Sequence, residues 1–229
     1  MDCALVIRLG GFAADNTSAG EDALSRGRLL IATSNAGKLG ELRSLLAGLP
    51  LELLSLTDIP NIQSVEETGE TFTENACLKA SGYACQAKVM TLADDSGLAV
   101  DALRGKPGVY SARYVRPDAT YPDRIGSLLE ELANVPEVNR TARFVCAMAV
   151  ATDFGEIVFE TEKSCEGHIA AAPRGTGGFG YDPIFIPDGY NQTFAELSVE
   201  IKNQISHRAL ALHASRAFIA SLTGPRSGS

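Results

Sequence analysis

Two adjacent carboxylates, Asp94 and Asp95, are the residues of this sequence best suited to chemistry. They follow an apolar run that begins at Val89, and Ser96-Gly97 separates them from a second apolar run. This pattern predicts a strand that delivers paired acids to a tight turn. Hard cations such as Mg²⁺ prefer oxygen ligands and accept one or two carboxylates together with substrate phosphates, so the pair could hold a metal. Asp-Asp-Ser-Gly is also ordinary turn composition, which leaves a purely structural turn as the alternative.

A lysine follows the first predicted strand. Residues 28–33 predict a buried strand and residues 34–38 a turn that ends in Lys38, after which leucines recur at helical spacing. A turn between a strand and a helix can present backbone N–H groups and the positive end of the helix dipole to a phosphate. Only Gly37 precedes the lysine, so the turn does not match the standard phosphate-binding loop. A solvated lysine on an exposed turn is the alternative.

An acidic segment precedes the next predicted helix. Four glutamates fall within nine residues, beginning with Glu66 and Glu67. Thr71 and Glu74 fit a capping box, which predicts that the helix begins there. One interpretation is a solvated acidic loop that favours the helix N-terminus. The other is that Glu66 or Glu67 reaches the same metal as the aspartate pair.

Two later segments carry further candidates for ligand contacts. The loop 174–186 has four glycines in six positions, so its backbone can come close to a ligand, and Phe179 and Tyr181 offer flat faces on which a nucleobase can stack. A flexible loop between strands is the alternative. Further on, Ser206 predicts the N-cap of the last helix, with a His-Arg pair in the first turn. The helix dipole disfavours cations there, so we expect a negative or accepting group to compensate them.

The remaining patterns predict scaffold. Residues 51–56 predict a strand, a helix begins near Pro122, and residues 141–152 and 156–163 predict a β-hairpin. The stretch 104–113 is punctuated by glycine and proline and carries three cations. It is either a cover over an anionic site or a surface loop.

Composition and segmentation limit the classes of partner. The chain has 229 residues and a net charge of −8 without a run of Lys and Arg, so polymeric nucleic acid is not an expected partner. Five cysteines form no C-x-x-C pair, and their odd number argues against a disulfide framework. No apolar stretch of the sequence reaches the length of about 20 residues that a membrane span requires, so no membrane partner and a cytoplasmic location are expected.

We predict a mobile N-terminal extension at 1–27, a folded domain at 28–222 and a tail at 223–229.

Together these segments are the parts needed to bind a nucleoside triphosphate with Mg²⁺ and to do chemistry at phosphorus. The sequence also resembles the inosine triphosphate pyrophosphatase family, hydrolases of non-standard purine nucleotides. The resemblance is carried by T-S-N-A-G-K at 33–38, E-E-T-G-E-T-F-T-E-N-A at 66–76, A-D-D-S-G-L-A-V-D at 93–101, G-K-P-G-V-Y-S-A-R-Y at 105–114, G-T-G-G-F-G-Y-D-P-I-F at 175–185 and I-S-H-R at 205–208. Ser34 departs from the family pattern, because many members have glycine there.

The resemblance implies an elongated α/β fold, in which helices flank a long mixed central sheet and two lobes enclose an active-site cleft. It implies a homodimer that hydrolyses ITP, dITP and XTP to the nucleoside monophosphate and pyrophosphate with Mg²⁺. It also implies that Asp95 orients or deprotonates the attacking water and that the metal ligands are Glu66 and Asp95, with Asp94 assisting nearby. The substrate-binding residues that it implies are Thr33, Ser34, Asn35, Ala36, Gly37, Lys38, Lys79, Ser96, Phe179, Gly180, Tyr181, Asp182, Lys202, His207 and Arg208.

Two other functions stay open at this point. A Maf-like nucleotide pyrophosphatase would do similar chemistry on other bases, and a non-catalytic nucleotide sensor would use the same pocket without turnover. The resemblance implies that His207 and Arg208 donate to the 6-keto oxygen of the purine. Such a donor accepts hypoxanthine and xanthine but would face the amino group of adenine without a partner, which disfavours that base.

Overall fold

A mixed sheet of six strands forms the centre of the described part of the protein, residues 27–221 of a computed structural model. The strands are β1 (Gly27–Ile31), β2 (Leu51–Ser55), β3 (Thr91–Val100), β4 (Thr141–Ala151), β5 (Ile157–Ile169) and β6 (Phe185–Pro187). They lie in the order β2-β1-β3-β4-β5-β6, with β1 parallel to β2 and β3 and the other neighbours antiparallel. The expected α/β fold with a mixed central sheet is confirmed. The predicted extension and tail lie outside the described residues, apart from Gly27, which begins β1.

The helices of this range are α1 (Ala36–Leu46), α2 (Phe72–Ala87), α3 (Tyr121–Glu131), α4 (Val199–Ile205) and α5 (His207–Ser221). Their starts follow from local hydrogen bonds. The side-chain oxygen of Asn35 caps α1 by accepting two backbone N–H groups, at 2.9 and 3.1 Å. Thr71 and Glu74 form the predicted capping box of α2, and the hydroxyl of Ser206 accepts a backbone N–H in the first turn of α5 at 3.2 Å. None of these helices combines the length and the apolar surface that a membrane span requires.

The long strands β3, β4 and β5 carry two lobes. At one end of β3 and β4, buried side chains on both faces of the sheet pack against α1, α2 and α5. At the other end, a third apolar cluster joins the second half of β3 and the first half of β4 to α3 and the segment 181–197. β5 extends to Ile169, beyond the predicted end at residue 163, because its last residues pair with β4 and β6. The two lobes therefore share one continuous sheet.

The prediction of a turn at Ser96-Gly97 was wrong. β3 runs without interruption through this dipeptide and pairs with β4 over its whole length. Successive side chains of a strand point to opposite faces of the sheet, so the two adjacent carboxylates are separated by the sheet itself. Asp94 faces the side of α1 and α5, whereas Asp95 faces α2. The long pairing with β4 outweighed the local turn composition.

Gly97 marks a close approach between β3 and the 3₁₀ helix Gly108–Arg113. A Cβ atom at Gly97 would lie far inside van der Waals contact with the carbonyl oxygen of Gly108 and the hydroxyl of Ser111. That hydroxyl donates to the Gly108 carbonyl at 2.7 Å and accepts the N–H of Leu98 at 2.9 Å. Residues 104–113, for which a surface loop was one interpretation, are therefore attached to β3.

We expect Gly97→Ala to lower the free energy of unfolding by about 1–3 kcal/mol, because the added methyl group displaces this 3₁₀ helix. Gly40→Ala is the matched control. A Cβ at Gly40 meets nothing within 4 Å on the exposed side of α1, and the loss of helical glycine should stabilise the protein by roughly 0.5–1 kcal/mol. Urea unfolding measures both values, and a stabilised Gly97 variant would contradict the close approach.

Candidate active site

A cleft of about 380 Å³ lies where the two lobes meet. Its walls come from the start of α1, the middle of β3, the 3₁₀ helix, the loop before β6 and the junction of α4 and α5. The structure brings most of the predicted site residues to these walls: Thr33, Ser34, Asn35, Lys38, Lys79, Asp95, Ser96, Phe179, Gly180, Tyr181, Asp182, Lys202, His207 and Arg208. Four predicted residues do not line the cleft: Ala36, Gly37, Glu66 and Asp94.

One end of the cleft holds two carboxylates and a lysine. Lys79 Nζ lies 3.1 Å from Asp95 Oδ1 and 3.4 Å from Glu67 Oε1. The second oxygen of Asp95 is buried and has no hydrogen-bond partner within residues 27–221. Burial raises the pKa of Asp95 above its ordinary value, although the charge of Lys79 opposes this effect. Asp95 therefore has a free acceptor oxygen and is a stronger base than an exposed aspartate.

Asp94 lies behind the cleft wall and is almost completely buried. Its Oδ2 lies 3.2 Å from Lys38 Nζ and 3.2 Å from Arg208 Nε. Burial by itself would raise the pKa of Asp94, but Lys38 and Arg208 hold that pKa well below its ordinary value. Asp94 thus remains ionised, and it holds two cations in the cleft wall instead of facing the cleft itself.

Glu41 of α1 is a further carboxylate at this site, and it was not predicted from the sequence. Its Oε1 lies 2.8 Å from Lys202 Nζ, and its Oε2 accepts a hydrogen bond from Nη1 of Arg208. Lys202 Nζ also lies 2.5 Å from Asp182 Oδ2. Glu41 and Asp94 therefore neutralise the charge of Arg208, a cation that the helix dipole disfavours at the start of α5. The spacing could have revealed Glu41, because it follows Lys38 by three residues and shares its helix face.

Phe179 provides a flat apolar face inside the cleft. Lys202 Nζ lies 4.9 Å and Arg208 Cζ 5.7 Å from the centre of its ring, within the range of cation–π attraction. The ring packs on the start of α1, where a Cβ at Gly37 would lie 2.6 Å from a ring carbon. The hydroxyl of Tyr181 donates to the carbonyl of Ser111 at 3.1 Å, which joins this loop to the 3₁₀ helix.

His207 is buried at the back of the same end of the cleft. Its ring stacks on Phe144 with ring centres 4.7 Å apart and an angle of 9° between the planes. Burial, followed by the charges of Arg208 and Lys202, lowers the pKa of His207 well below 6.5. The imidazole is therefore neutral at pH 7 and carries one N–H donor.

A sequence model of the Ham1 family matches residues 29–218. The chain belongs to the Ham1 family. This confirms the resemblance found in the sequence. The chain is 53% identical over 184 residues to a dITP/XTP pyrophosphatase of Geobacillus kaustophilus, which covers 80% of this chain and 90% of the relative. It is 52% identical over 186 residues to a dITP/XTP pyrophosphatase of Nostoc sp., with coverage of 81% and 91%.

Solved structures of Ham1 proteins have the same fold. A HAM1 protein from Coxiella burnetii superposes with a TM-score of 0.78 at 38% identity, covering 85% of this chain and 99% of the other. A nucleoside-triphosphatase / dITP/XTP pyrophosphatase from Mycobacterium abscessus superposes with a TM-score of 0.65 at 45% identity, covering 82% and 97%. The sheet and helices of this chain are therefore those of the family.

The Asp95 end of the Ham1 cleft fits a Mg²⁺ ion. No group of three or more His, Cys, Asp or Glu within residues 27–221 could hold a metal on its own. Mg²⁺, however, commonly takes one or two carboxylates and completes its shell with water and substrate phosphates. The unpartnered Oδ2 of Asp95 and the carboxylate of Glu67 offer such a pair.

Of the two adjacent glutamates Glu66 and Glu67, only Glu67 lines the cleft. The side chain of Glu66 is exposed and lies outside the cleft wall, whereas Glu67 lines the cleft. The charge of Lys79 explains the choice, because it lies 3.4 Å from Glu67 and draws that carboxylate inward. The acidic loop alone left both glutamates open.

We expect Glu41→Gln to lower the free energy of unfolding by about 3 kcal/mol, because it leaves Lys202 and Arg208 with one carboxylate fewer in a desolvated place. Glu52→Gln is the control. Glu52 pairs with Arg28 on the surface, with both side chains more than half exposed, and its loss should cost roughly 0–1 kcal/mol. Chemical denaturation compares the two variants, and equal losses would mean that Glu41 does not hold the cleft cations.

The lowered pKa of His207 predicts a dependence of stability on pH. In the unfolded chain a histidine binds a proton below about pH 6.5, whereas the folded protein keeps His207 neutral. The unfolded state therefore binds more protons in this range, so stability falls as the pH drops from 7 to 5, by at most about 1.4 kcal/mol per pH unit for one group. His207→Gln should flatten this slope in thermal unfolding, and His213→Gln on the exposed side of α5 should not. An unchanged slope in the His207 variant would assign the effect to other groups.

Proposed function

We propose that this protein hydrolyses the non-standard purine nucleoside triphosphates ITP, dITP and XTP to the nucleoside monophosphate and pyrophosphate. One observation carries the proposal. A single cleft has a charged end and an aromatic end. The charged end holds the carboxylates of Asp95 and Glu67 together with Lys79. At the aromatic end, the ring of Phe179 lies beside the cations Lys202 and Arg208. The names of the relatives, dITP/XTP pyrophosphatases at about half identity, support the same reaction.

Asp95 is the residue that activates water in this proposal. A water in the cleft that donates a hydrogen bond to the Asp95 carboxylate would lose its proton to that carboxylate as the oxygen of the water attacks the α-phosphorus. The bond between the α-phosphorus and the oxygen that bridges to the β-phosphorus breaks, and pyrophosphate leaves with that oxygen. Lys38 and Lys79 hold positive charge at this end of the cleft, where the phosphate oxygens gain charge.

Mg²⁺ is the proposed cofactor, held by Asp95 and Glu67. When bound there, it would neutralise phosphate charge and help to orient the triphosphate. Asp94 is not proposed as a ligand of this metal, because its carboxylate does not line the cleft and pairs with Lys38 and Arg208.

The aromatic end is proposed to select the base. A purine ring can stack on Phe179 while donors of the neighbouring His207 and Arg208 face its 6-keto oxygen. Adenine would leave such a donor unpaired, a mismatch that can discriminate by up to about 10⁴-fold in favourable sites. This arrangement favours hypoxanthine and xanthine over adenine.

The remaining parts of the proposal concern the setting of the enzyme. A net charge of −8 argues against polymeric nucleic acid as a partner. A homodimer is proposed from the family resemblance, and a cytoplasmic location is proposed from the cysteine pattern, which argues against a disulfide framework. A Maf-like specificity and a non-catalytic sensor are not favoured, because the curated relatives are named for dITP and XTP hydrolysis.

The deciding experiment is a product assay on ITP, dITP, XTP, GTP and ATP, with and without Mg²⁺. The expected products from ITP and XTP are the monophosphate and pyrophosphate, only with Mg²⁺, and Asp95→Asn should lower kcat by about 10²- to 10⁴-fold. Asp101→Asn is the control, because Asp101 follows β3 but pairs with Arg143 outside the cleft. Diphosphate and phosphate as products would place the attack at the γ-phosphorus, and a fully active Asp95 variant would remove Asp95 from its role.

A further inference from the structure

The cations that line the cleft differ in one respect, which is whether a carboxylate accompanies them. Four of the five have at least one carboxylate partner within 4.0 Å: Lys38, Lys79, Lys202 and Arg208. Arg113 is the exception among the described residues. Its guanidinium instead lies 5.3 Å from the ring centre of the exposed Tyr110.

The charge of the cleft makes this difference important. The four paired cations face five carboxylates, which leaves one net negative charge: Glu41, Glu67, Asp94, Asp95 and Asp182. A triphosphate carries several negative charges of its own, so these pairs alone do not attract it. A divalent metal compensates part of the charge, and Arg113 is the cation in the described cleft wall whose charge is not already taken by a carboxylate.

The backbone that carries Arg113 is held in place, and its side chain is exposed. Ser111 is buried and hydrogen-bonds to Gly108, Leu98 and Tyr181 in three directions. Arg113 follows two residues later at the end of the same 3₁₀ helix, and its side chain is exposed at the cleft. A fixed backbone and an exposed guanidinium without a carboxylate partner suit a residue that binds an incoming anion.

We propose that Arg113 binds the two outer phosphate groups of the substrate, the part that leaves as pyrophosphate. This inference rests on the proposed function. The guanidinium group has a planar fork of N–H donors that matches two phosphate oxygens. Because Arg113 is exposed, it lies toward the open side of the cleft, where the end of the triphosphate most distant from the buried base pocket would emerge.

The test compares Arg113→Gln with Arg104→Gln in steady-state hydrolysis of ITP. Arg104 lies on the same segment, is exposed and does not line the cleft. Loss of the charged hydrogen bonds from the Arg113 guanidinium should lower kcat/KM by roughly 10- to 100-fold in the Arg113→Gln variant. Arg104→Gln should keep the wild-type value, and Arg113→Lys should recover part of the loss because it restores the charge without the fork. Equal thermal midpoints for all variants exclude a folding effect.

Product inhibition decides which part of the substrate Arg113 contacts. In Arg113→Gln the inhibition constant of pyrophosphate should rise by the same factor as kcat/KM falls, while that of IMP stays at the wild-type value. Weaker inhibition by IMP alone would place Arg113 at the nucleoside, and kinetics like those of Arg104→Gln would remove it from the site. If wild-type protein does not hydrolyse ITP, the proposed function fails, and calorimetric titration with pyrophosphate and Mg²⁺ still tests Arg113. Equal affinity of wild type and Arg113→Gln would then overturn the proposal.

Discussion

The buried carboxylate of Asp94 is the interaction on which the cleft depends. An anion removed from water must be compensated by opposite charge, since its desolvation is otherwise far too costly. The compensating groups are Lys38 from α1 and Arg208 from α5, two helices that are remote in sequence. Arg208 in turn binds Glu41 and the hydroxyl of Ser96. One desolvated charge thereby fixes the positions of α1 and α5 against the middle of β3.

The geometry of β3 gives two neighbouring aspartates different chemistry. Because strand side chains alternate between faces, Asp94 meets cations in a closed interior and Asp95 faces an open cleft. The first is held ionised by its partners, and the second has a raised pKa and a free oxygen. Two identical side chains thus have opposite roles, one in structure and one in the proposed reaction, and only the environment distinguishes them.

The shared sheet places that reaction site between two separately packed cores. The catalytic end of the cleft is built from the lobe of α1, α2 and α5, while the 3₁₀ helix and the loop of Tyr181 come from the other lobe. Ser111 joins these last two segments to β3 through hydrogen bonds. A ligand in the cleft would therefore touch both lobes. The strands β3 and β4 are continuous between the lobes and connect the two ends of the cleft.

Features that depend on residues close together in the chain could be predicted from the sequence. The capping box at Thr71, the hairpin of β4 and β5, the cap at Ser206 and the glycine-rich aromatic loop all follow from short-range hydrogen bonds and side-chain periodicity. The motifs that carry the family resemblance also contain most residues of the cleft wall. Three features could not be predicted in this way: Ser96-Gly97 continues a strand, Glu67 and not Glu66 lines the cleft, and Glu41 belongs to the site. These outcomes depend on strand pairing and on charges from distant parts of the chain, such as Arg208 and Glu41, 167 residues apart. No local pattern encodes such contacts, because the free energy of a buried charge is set by whatever the fold brings beside it.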